Sequence, residues 1–340
     1  MKHFFNISPP TILTTLEQNK KNGKAIERYI ASLLTVALNA RVNFTSRTED
    51  DAKIDLVTLF SHPWLDNNVE TIATQVKSGA SYCTLQNDNL ILTKKQFSGL
   101  LNSNNWLLVC WSRVEKEQGY WFLIKPHSKF IKLEYNSNHI INPLTKFHLI
   151  RVLYSSNSKN GGKGLIFKQK NNRQEYKYKD YIKLRLSAKE KYLSLKNSKI
   201  INPVFGKIEF TRIGWRHITR ESRWHYFKTA SFEVLKVVDN LLQVSPSKHY
   251  TLKHITKEED GEIYIENEFL LNYSSAKVFD SEMEDTFQCE IFIKLLEVSS
   301  YRRDWKESAV KNNSYFRRII FKSIYYKQSG QNMHAQSVSK

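Results

Sequence analysis

Cysteine is scarce in this chain. There are three, Cys83, Cys110 and Cys289, with no Cys-x-x-Cys spacing and no histidine at zinc-like intervals. This argues against a disulfide framework and a thiolate zinc site, and leaves buried or incidental thiols of a reducing compartment. Long apolar runs are also lacking. Met1–Pro10 holds no run of signal-peptide length, and the longest apolar stretch, Ile30–Ala40, is interrupted and far short of a bilayer span. The expectation is a cytoplasmic protein without a membrane partner. Acid is the third shortage, with 33 Asp and Glu against 52 Lys and Arg, a formal net charge of +19. The excess is concentrated in the middle: residues 151–200 hold 14 basic and 3 acidic side chains, against 17 and 12 in 1–150 and 21 and 18 in 201–340. A block of that sign favours a polyanion, most simply nucleic acid.

What is present suffices for packed cores, with 41% hydrophobic and 13% aromatic residues in 340. The composition shifts along the chain suggest a domain over 1–154, a basic segment over 155–202 opening on the Ser/Asn/Gly/Lys-rich run 155–164, an α+β module over 203–328 and a disordered tail over 329–340.

The most informative stretch runs from Lys53 to Ser78. Ile54-Asp55-Leu56-Val57 begins one apolar run and Thr74-Gln75-Val76-Lys77-Ser78 ends the next. In a strand, Gln75 and Lys77 share a face while Val76 points the other way. With Asp55 on the neighbouring strand they would form a compact polar cluster, suited to a divalent metal on oxygen ligands with a cation near the attacking water. Upstream, Ile26, Ile30, Leu33, Leu34 and Ala37 mark a helix, with Glu27 at the edge of its apolar stripe. Glu49, Asp50 and Asp51 read as a solvated loop and His62 as a surface residue. Thr93-Lys94-Lys95-Gln96 has the form of a capping box opening a helix. Two strands around Glu117-Gln118-Gly119 read as a hairpin.

These residues carry a resemblance. Gly23-x-x-x-Glu27, Ile54-Asp55-Leu56 and Gln75-Val76-Lys77-Ser78-Gly79 resemble the PD-(D/E)XK nuclease superfamily, and within it a group of restriction-like domains with Gln in place of the second acid, often found at the front of bacterial defence proteins. The resemblance covers roughly the first 150 residues. It departs from the superfamily label where Ile54 replaces the proline before Asp55 and Gln75 replaces Asp or Glu. It implies an α/β restriction-endonuclease-like domain with an αβββαβ core and a mixed central sheet. It also implies a site of Glu27, Asp55, Gln75 and Lys77, with one Mg²⁺ (or Mn²⁺) on Glu27, Asp55, the Gln75 side-chain oxygen and the Val76 carbonyl. The implied activity is phosphodiester hydrolysis, on DNA before RNA, and such enzymes often act as homodimers.

The basic segment interleaves Lys168, Lys170, Arg173, Lys177, Lys179, Lys183 and Arg185 with Phe167, Tyr176, Tyr178 and Tyr181. Such interleaving suits a groove that follows phosphates and stacks bases, and equally an ordinary solvated element of a Lys-rich protein. Ser187-Ala188-Lys189-Glu190 has the form of a second capping box. Beyond it, Phe232, Leu235, Val238 and Leu242 mark an amphipathic helix, and strands are expected near 207–210, 250–255, 263–265, 289–298 and 318–326. Trp215-Arg216-His217-Ile218, followed by Arg220 and Arg223, weakly resembles the barnase–EndoU–colicin–RelE-like nucleases over roughly 120 residues. That resemblance implies a metal-independent ribonuclease or toxin, with His217 as general acid/base and Arg223 or Arg220 as phosphate clamp. A degenerate, purely nucleic-acid-binding protein is the third reading, and Gln75 is its best support.

Overall fold

The computed structural model describes residues 15–45, 54–86, 89–101, 103–112, 118–129, 139–155, 166–169, 178–280, 285–307 and 315–328. Glu49–Asp51, Lys170, Arg173, Lys177 and the tail 329–340 lie outside them, as does the side chain of Lys168. The chain is mixed α/β and forms two compact units, one of residues 1–61 and 69–145, the other of 62–68 and 146–340. The division therefore falls at 145/146 rather than after 154. The segment 178–202, expected as part of a linker, belongs to the second unit because Ala188, Tyr192 and Leu195 are buried in its core.

In the first unit, helix α1 (Thr15–Leu38) precedes strands β1 (Arg41–Phe44), β2 (Leu56–Ser61) and β3 (Val69–Ser78). The hairpin β4 (Cys83–Gln86) and β5 (Asn89–Leu92) and a 3-10 helix (Lys94–Leu100) then lead to β6 (Leu107–Ser112) and β7 (Gly119–Ile124). The five-stranded sheet runs β1-β2-β3-β6-β7, with β1, β2 and β3 antiparallel, β3 parallel to β6, and β6 antiparallel to β7. β6 and β7 are buried throughout, which is why they read as near-continuous apolar runs. Each sheet face has its own cover. Ile30 and Leu33 of α1 close over Gly119, where a Cβ would lie 2.8–2.9 Å from their methyls. On the opposite face Val109, Trp111, Tyr120 and Phe122 pack with Cys83, Leu90, Phe97 and Leu100. The expected α-helix after Thr93 is instead the 3-10 helix, and Thr93 makes no side-chain cap. Its buried residues, Phe97 and Leu100, are three apart, the spacing that a three-residue turn stacks on one side.

The second unit contains α2 (Thr145–Ser155, from its second residue), β8 (Ile166–Gln169), α3 (Tyr178–Lys196), β9 (Ile200–Asn202) and β10 (Gly206–Glu209). Helices α4 (Arg212–Thr219), α5 (His225–Val234) and α6 (Val238–Leu242) follow, then the long strands β11 (Lys248–Glu259), β12 (Glu262–Asp280), β13 (Asp285–Arg302) and β14 (Tyr315–Gln328). Its sheet runs β11-β12-β13-β14-β10-β9, with β8 parallel to β12 and β10 parallel to β14. The second capping box falls inside α3, because Tyr181 and Leu184 extend the stripe of Ala188, Tyr192 and Leu195 one turn and more upstream. Phe232, Leu235, Val238 and Leu242 are all fully buried, but on α5, a 3-10 turn and α6 rather than one amphipathic helix.

β10 pairs with β14 only at Ile319 and Ile320. Beyond them α4 and α5 take the place of a neighbouring strand. Ser231 Oγ donates to the Ile324 carbonyl, and Gly214 lets α4 approach so closely that a Cβ would strike the Phe321 carbonyl oxygen. A free edge is thereby covered without a strand.

The polar centre of this unit is Glu297, 3% exposed. Its Oε1 accepts from Arg151 Nη2 and from Arg317 Nε, each at 2.8 Å, and its Oε2 accepts from Asn267 Nδ2 at 3.0 Å. Arg151 stacks on Phe269 and Arg317 on Phe147, both 4.3 Å from the ring centre, so aromatic faces share the cationic load. The loop 62–68 joins this cluster: Trp64 Nε1 donates to the Pro203 carbonyl at 3.1 Å, and its ring stacks on Phe147. His62, read from the sequence as a surface residue, is 5% exposed between Trp64 and Tyr154, and burial lowers its imidazole to about 4.

Burial alone would raise the Glu297 carboxyl, but Arg151 and Arg317 outweigh it and hold it at about 2. The folded value lies below the ordinary 4.5, so its stabilisation is present above that pH and drains away as pH falls towards 2. Glu297→Gln leaves two buried guanidinium groups without an anion and is expected to cost about 3–5 kcal/mol at neutral pH. Urea denaturation of both proteins should show the gap closing as the pH is lowered through that window.

Candidate active site

β2 pairs with β3 from Leu56 opposite Thr74 to Ser61 opposite Val69. Asp55 is thus the residue just before β2, with its main-chain N–H still donating to the Thr74 carbonyl at 3.0 Å. The Thr45 hydroxyl and N–H hold the backbone on the other side, bonding the Ile54 carbonyl at 2.6 Å and the Asp55 carbonyl at 3.2 Å respectively. β3 continues four residues past the point where this pairing with β2 ends. In antiparallel pairing, alternate residues turn their main-chain groups to the same neighbour, so Val76, like Thr74, points its N–H and C=O towards β2. There the Asp55 side chain takes the place of a strand. Its Oδ2 accepts from the Val76 N–H at 2.5 Å and from the Gln75 side-chain amide.

Gln75 is 2% exposed, and its Oε1 is buried with no hydrogen-bond partner. Lys77, two residues on, is half-buried and lies on the same face, its ammonium 5.7 Å from the centre of the Tyr82 ring. The parallel register sets Gln75 beside Val109 and Lys77 beside Trp111. Val76 sits beside Cys110 on the face covered by α1. The Cys110 thiol is raised above its usual range by burial and then by the charge of Asp55. The Asp55 carboxylate therefore lies at a seam and is felt on both sides of the sheet.

No protein-family model, curated protein or solved structure matches the chain.

Asp55 and Gln75 thus meet as their spacing implies, and Lys77 follows two residues on along the Gln75 face of β3. Glu27 is half-buried on α1, on the stripe of Ala31 and Leu34, and approaches from the face opposite Gln75 and Lys77. An ion drawing on Glu27 has to sit at the seam. Among the described residues no group of three or more His, Cys, Asp or Glu side chains has the spacing of a metal site. The oxygens to hand are the Asp55 carboxylate, the Gln75 amide oxygen and the Val76 carbonyl, all hard donors that suit one Mg²⁺ or Mn²⁺. The orphaned Gln75 Oε1 fits such a role. Rotating the amide by half a turn would set two acceptors, Oε1 and Asp55 Oδ2, against each other, an arrangement that a cation reconciles.

The other expected residues are dispersed. Lys179 and Lys183, one turn apart, share the solvent face of α3, while Arg185 lies on another flank, so these three do not converge. Tyr181 packs into the core. His217 is half-buried on α4, and burial, then the charges of Lys322 and Arg220, hold its imidazole below the ordinary value, with Glu268 opposing them. Glu268 itself bridges Lys322 and Lys294, and the hydrogen bond and charge of Lys322 bring its carboxyl below the usual range against the pull of burial. The neighbours of His217 on β12, β13 and β14 were out of reach of the sequence, because they lie 51 to 105 positions further along the chain.

Gln75→Glu tests the seam without reference to catalysis. In EDTA at pH 8 the new carboxylate faces Asp55 and loses the amide donor, which should destabilise the protein by roughly 1–3 kcal/mol. Melting scans should show the loss recovered by millimolar Mg²⁺, and by acidification to pH 5, with smaller responses in the wild type.

Proposed function

We propose that the first unit is a Mg²⁺-dependent nuclease of the PD-(D/E)XK type, hydrolysing phosphodiester bonds in nucleic acid, with DNA the favoured substrate. The observation that carries this reading is the meeting of Asp55 and Gln75 where β2 ends and β3 runs on, with Lys77 next on the same face. The order of elements supports it: a helix, three antiparallel strands, an intervening hairpin and 3-10 helix, and then β6 parallel to β3.

Asp55, Gln75 Oε1 and the Val76 carbonyl would hold the ion, with Glu27 as the second carboxylate across the seam. A bound divalent ion polarises the scissile phosphate and lowers the pKa of its water. The chain's own contribution is to fix and balance these groups. The Val76 N–H clamps the Asp55 carboxylate, so its direction is set by the main chain rather than by a free rotamer. Lys77 brings a positive charge to the same face, where it can orient the attacking water and offset charge growing on the phosphoryl oxygens. Gln75 adds no charge, so Asp55 and Glu27 together supply about two negative charges, enough for one divalent ion rather than two.

The surroundings of His217 favour anion binding over proton transfer in the second unit, since the carboxylate whose charge reaches it, Glu268, is already shared by two lysines.

Incubation of supercoiled plasmid with the full chain in Mg²⁺ should give nicked and linear products, and EDTA should abolish them. Asp55→Asn and Lys77→Ala should each lower the rate by at least about 10²-fold. Cleavage that persists in EDTA, or that Lys77→Ala leaves intact, would overturn the assignment. Binding without cleavage under every condition would point to a non-catalytic nucleic-acid-binding protein.

A further inference from the structure

The second unit carries a concentration of positive charge that neither its core nor the proposed nuclease site uses. Residues 207 and 209 of β10 and 318, 320 and 325 of β14 alternate out of the buried core, and they share the sheet face turned away from it. A cavity of about 780 Å³ opens at one end of this face, between β10, β14, the end of α3 and the start of α4. Lys196, Lys199, Lys207, Arg212 and Arg318 line it, with Glu209 as the acid among them. Glu209 is taken by Arg318, whose Nε donates to its Oε2 at 2.9 Å. Among the described residues the other four cations have no acidic partner. Exposed Ile213 and buried Ile320 give the cavity an apolar component.

The charge continues along β14. A bulge where Lys294 pairs with Ser323 and Leu295 with Phe321 leaves Lys322 as the extra residue, and its ammonium turns to Glu268. Lys294 joins the same carboxylate at 3.5 Å. Across from them, α4 and the turn after it present His217, Arg220 and Arg223. Arg223 is half-buried beside Arg220 and Tyr325, and burial with the Arg220 charge brings its guanidinium down to about 10. Lys294 and Lys322 thus share one carboxylate, and Arg220 and Arg223 add their charges beside them. Tyr325, partly exposed, is stacked on Phe292 at 5.2 Å with 17° between the planes, and Lys327 lies 5.5 Å from the Phe292 ring. From Arg318 to Tyr325 the track is about 20 Å long at 3.3 Å per residue.

A clustering of like charge on this scale is self-repulsive and needs anions to balance it. The anion has to be extended, because the cations run along a strand rather than around a point. It also has to enter the concave cavity walled by the start of α4 and the end of α3, which a rigid duplex does not do. An aromatic pair at one end and an apolar wall at the other offer surfaces for flat rings. We propose that the channel between α4 and the outer face of β14 binds a single strand of nucleic acid. The cations follow its phosphates from the Lys199–Arg212 cavity to Arg223, and Tyr325 stacks a base. The span matches a site of about four nucleotides. The proposal stands apart from the nuclease assignment, since the channel binds a strand whether or not the Asp55 seam cuts one.

The test is fluorescence anisotropy on the full chain carrying Asp55→Asn, in EDTA, so that cleavage and the metal site contribute nothing. The probes are labelled dT12, rU12, a 12-base-pair duplex and a 12-residue polyglutamate. Tight, salt-sensitive binding of dT12 or rU12, with the duplex and polyglutamate at least ten-fold weaker, is the expected result. A triple variant, Lys199→Ala, Lys207→Ala and Arg212→Ala, alters only exposed side chains, and an unchanged melting temperature verifies its fold. It should weaken strand binding at least ten-fold at 0.1 M salt and flatten the slope of log affinity against log salt by about 2, close to 0.7 per lost contact. Arg223→Gln, at the far end, should weaken dT12 severalfold. Unchanged affinity and slope in the triple variant would place the strand elsewhere and overturn the proposal. Equal or tighter binding of the duplex would rule out the single-strand assignment, and equal binding of polyglutamate would identify an acidic protein segment as the partner.

Discussion

The first unit depends on how β3 is completed where β2 gives out. A strand edge with unpaired main-chain groups inside a folded protein is costly, and here a side chain pairs it. The Asp55 carboxylate accepts the Val76 N–H and the Gln75 amide, so one acid ends the pairing of two strands and gathers the polar groups beside it. Most of what can be said about chemistry follows from that substitution. A carboxylate held by the main chain has a fixed direction. Strand alternation then puts Gln75 and Lys77 on one side of it, while the continuing sheet, through β6 and β7, supplies a rigid, fully buried floor. Gln75 Oε1 is a buried acceptor of the seam that the protein's own contacts do not satisfy.

The second unit solves an edge problem differently. β10 accompanies β14 for two residues only, and α4 and α5 then lie against the free edge through Gly214 and Ser231. Setting a helix beside a strand brings His217, Arg220 and Arg223 alongside Lys294 and Lys322. The basic cluster is thus a consequence of how the edge is closed. The Arg151–Glu297–Arg317 cluster, by contrast, is buried away from that face, and the loop 62–68 is packed into it through Trp64.

The candidate seam was legible in the sequence because its signal is local. Asp55 opens one apolar run, Gln75 and Lys77 close the next, and a period of two fixes their common side. The helix at Ile26–Ala37 and the antiparallel pairing of β6 with β7 were legible for similar reasons, a clean stripe and a polar Gln-Gly signal between two apolar runs. Elsewhere local signals misled. Two capping-box patterns were read as helix starts, yet one opens a 3-10 helix because only Phe97 and Leu100 need burying, and the other lies inside α3. The long strands β11 to β14 extend well beyond their apolar centres: β11 is exposed over most of its length, so no hydrophobic alternation marks it. The Asp260-Gly261 pair at the β11–β12 turn, both at positive φ, was the available sign of that hairpin. A histidine beside a proline and a tryptophan looks like an exposed loop residue, and the packing of Trp64 and Tyr154 that buries His62 is tertiary. The charge excess was legible as a total but not as a place, since the cations that line one channel come from α3, β10, α4 and β14.

The central claim is that the Asp55 seam is built around a divalent ion rather than finished by its own hydrogen bonds. Crystals of the protein soaked in Mn²⁺ and measured near the manganese absorption edge test it most directly. The account predicts an anomalous peak within ligating distance of the Asp55 carboxylate and the Gln75 side-chain oxygen, with the Gln75 amide turned over from its present donation to Asp55. A map without a peak there, with the amide still donating to Asp55 at saturating Mn²⁺, would contradict it.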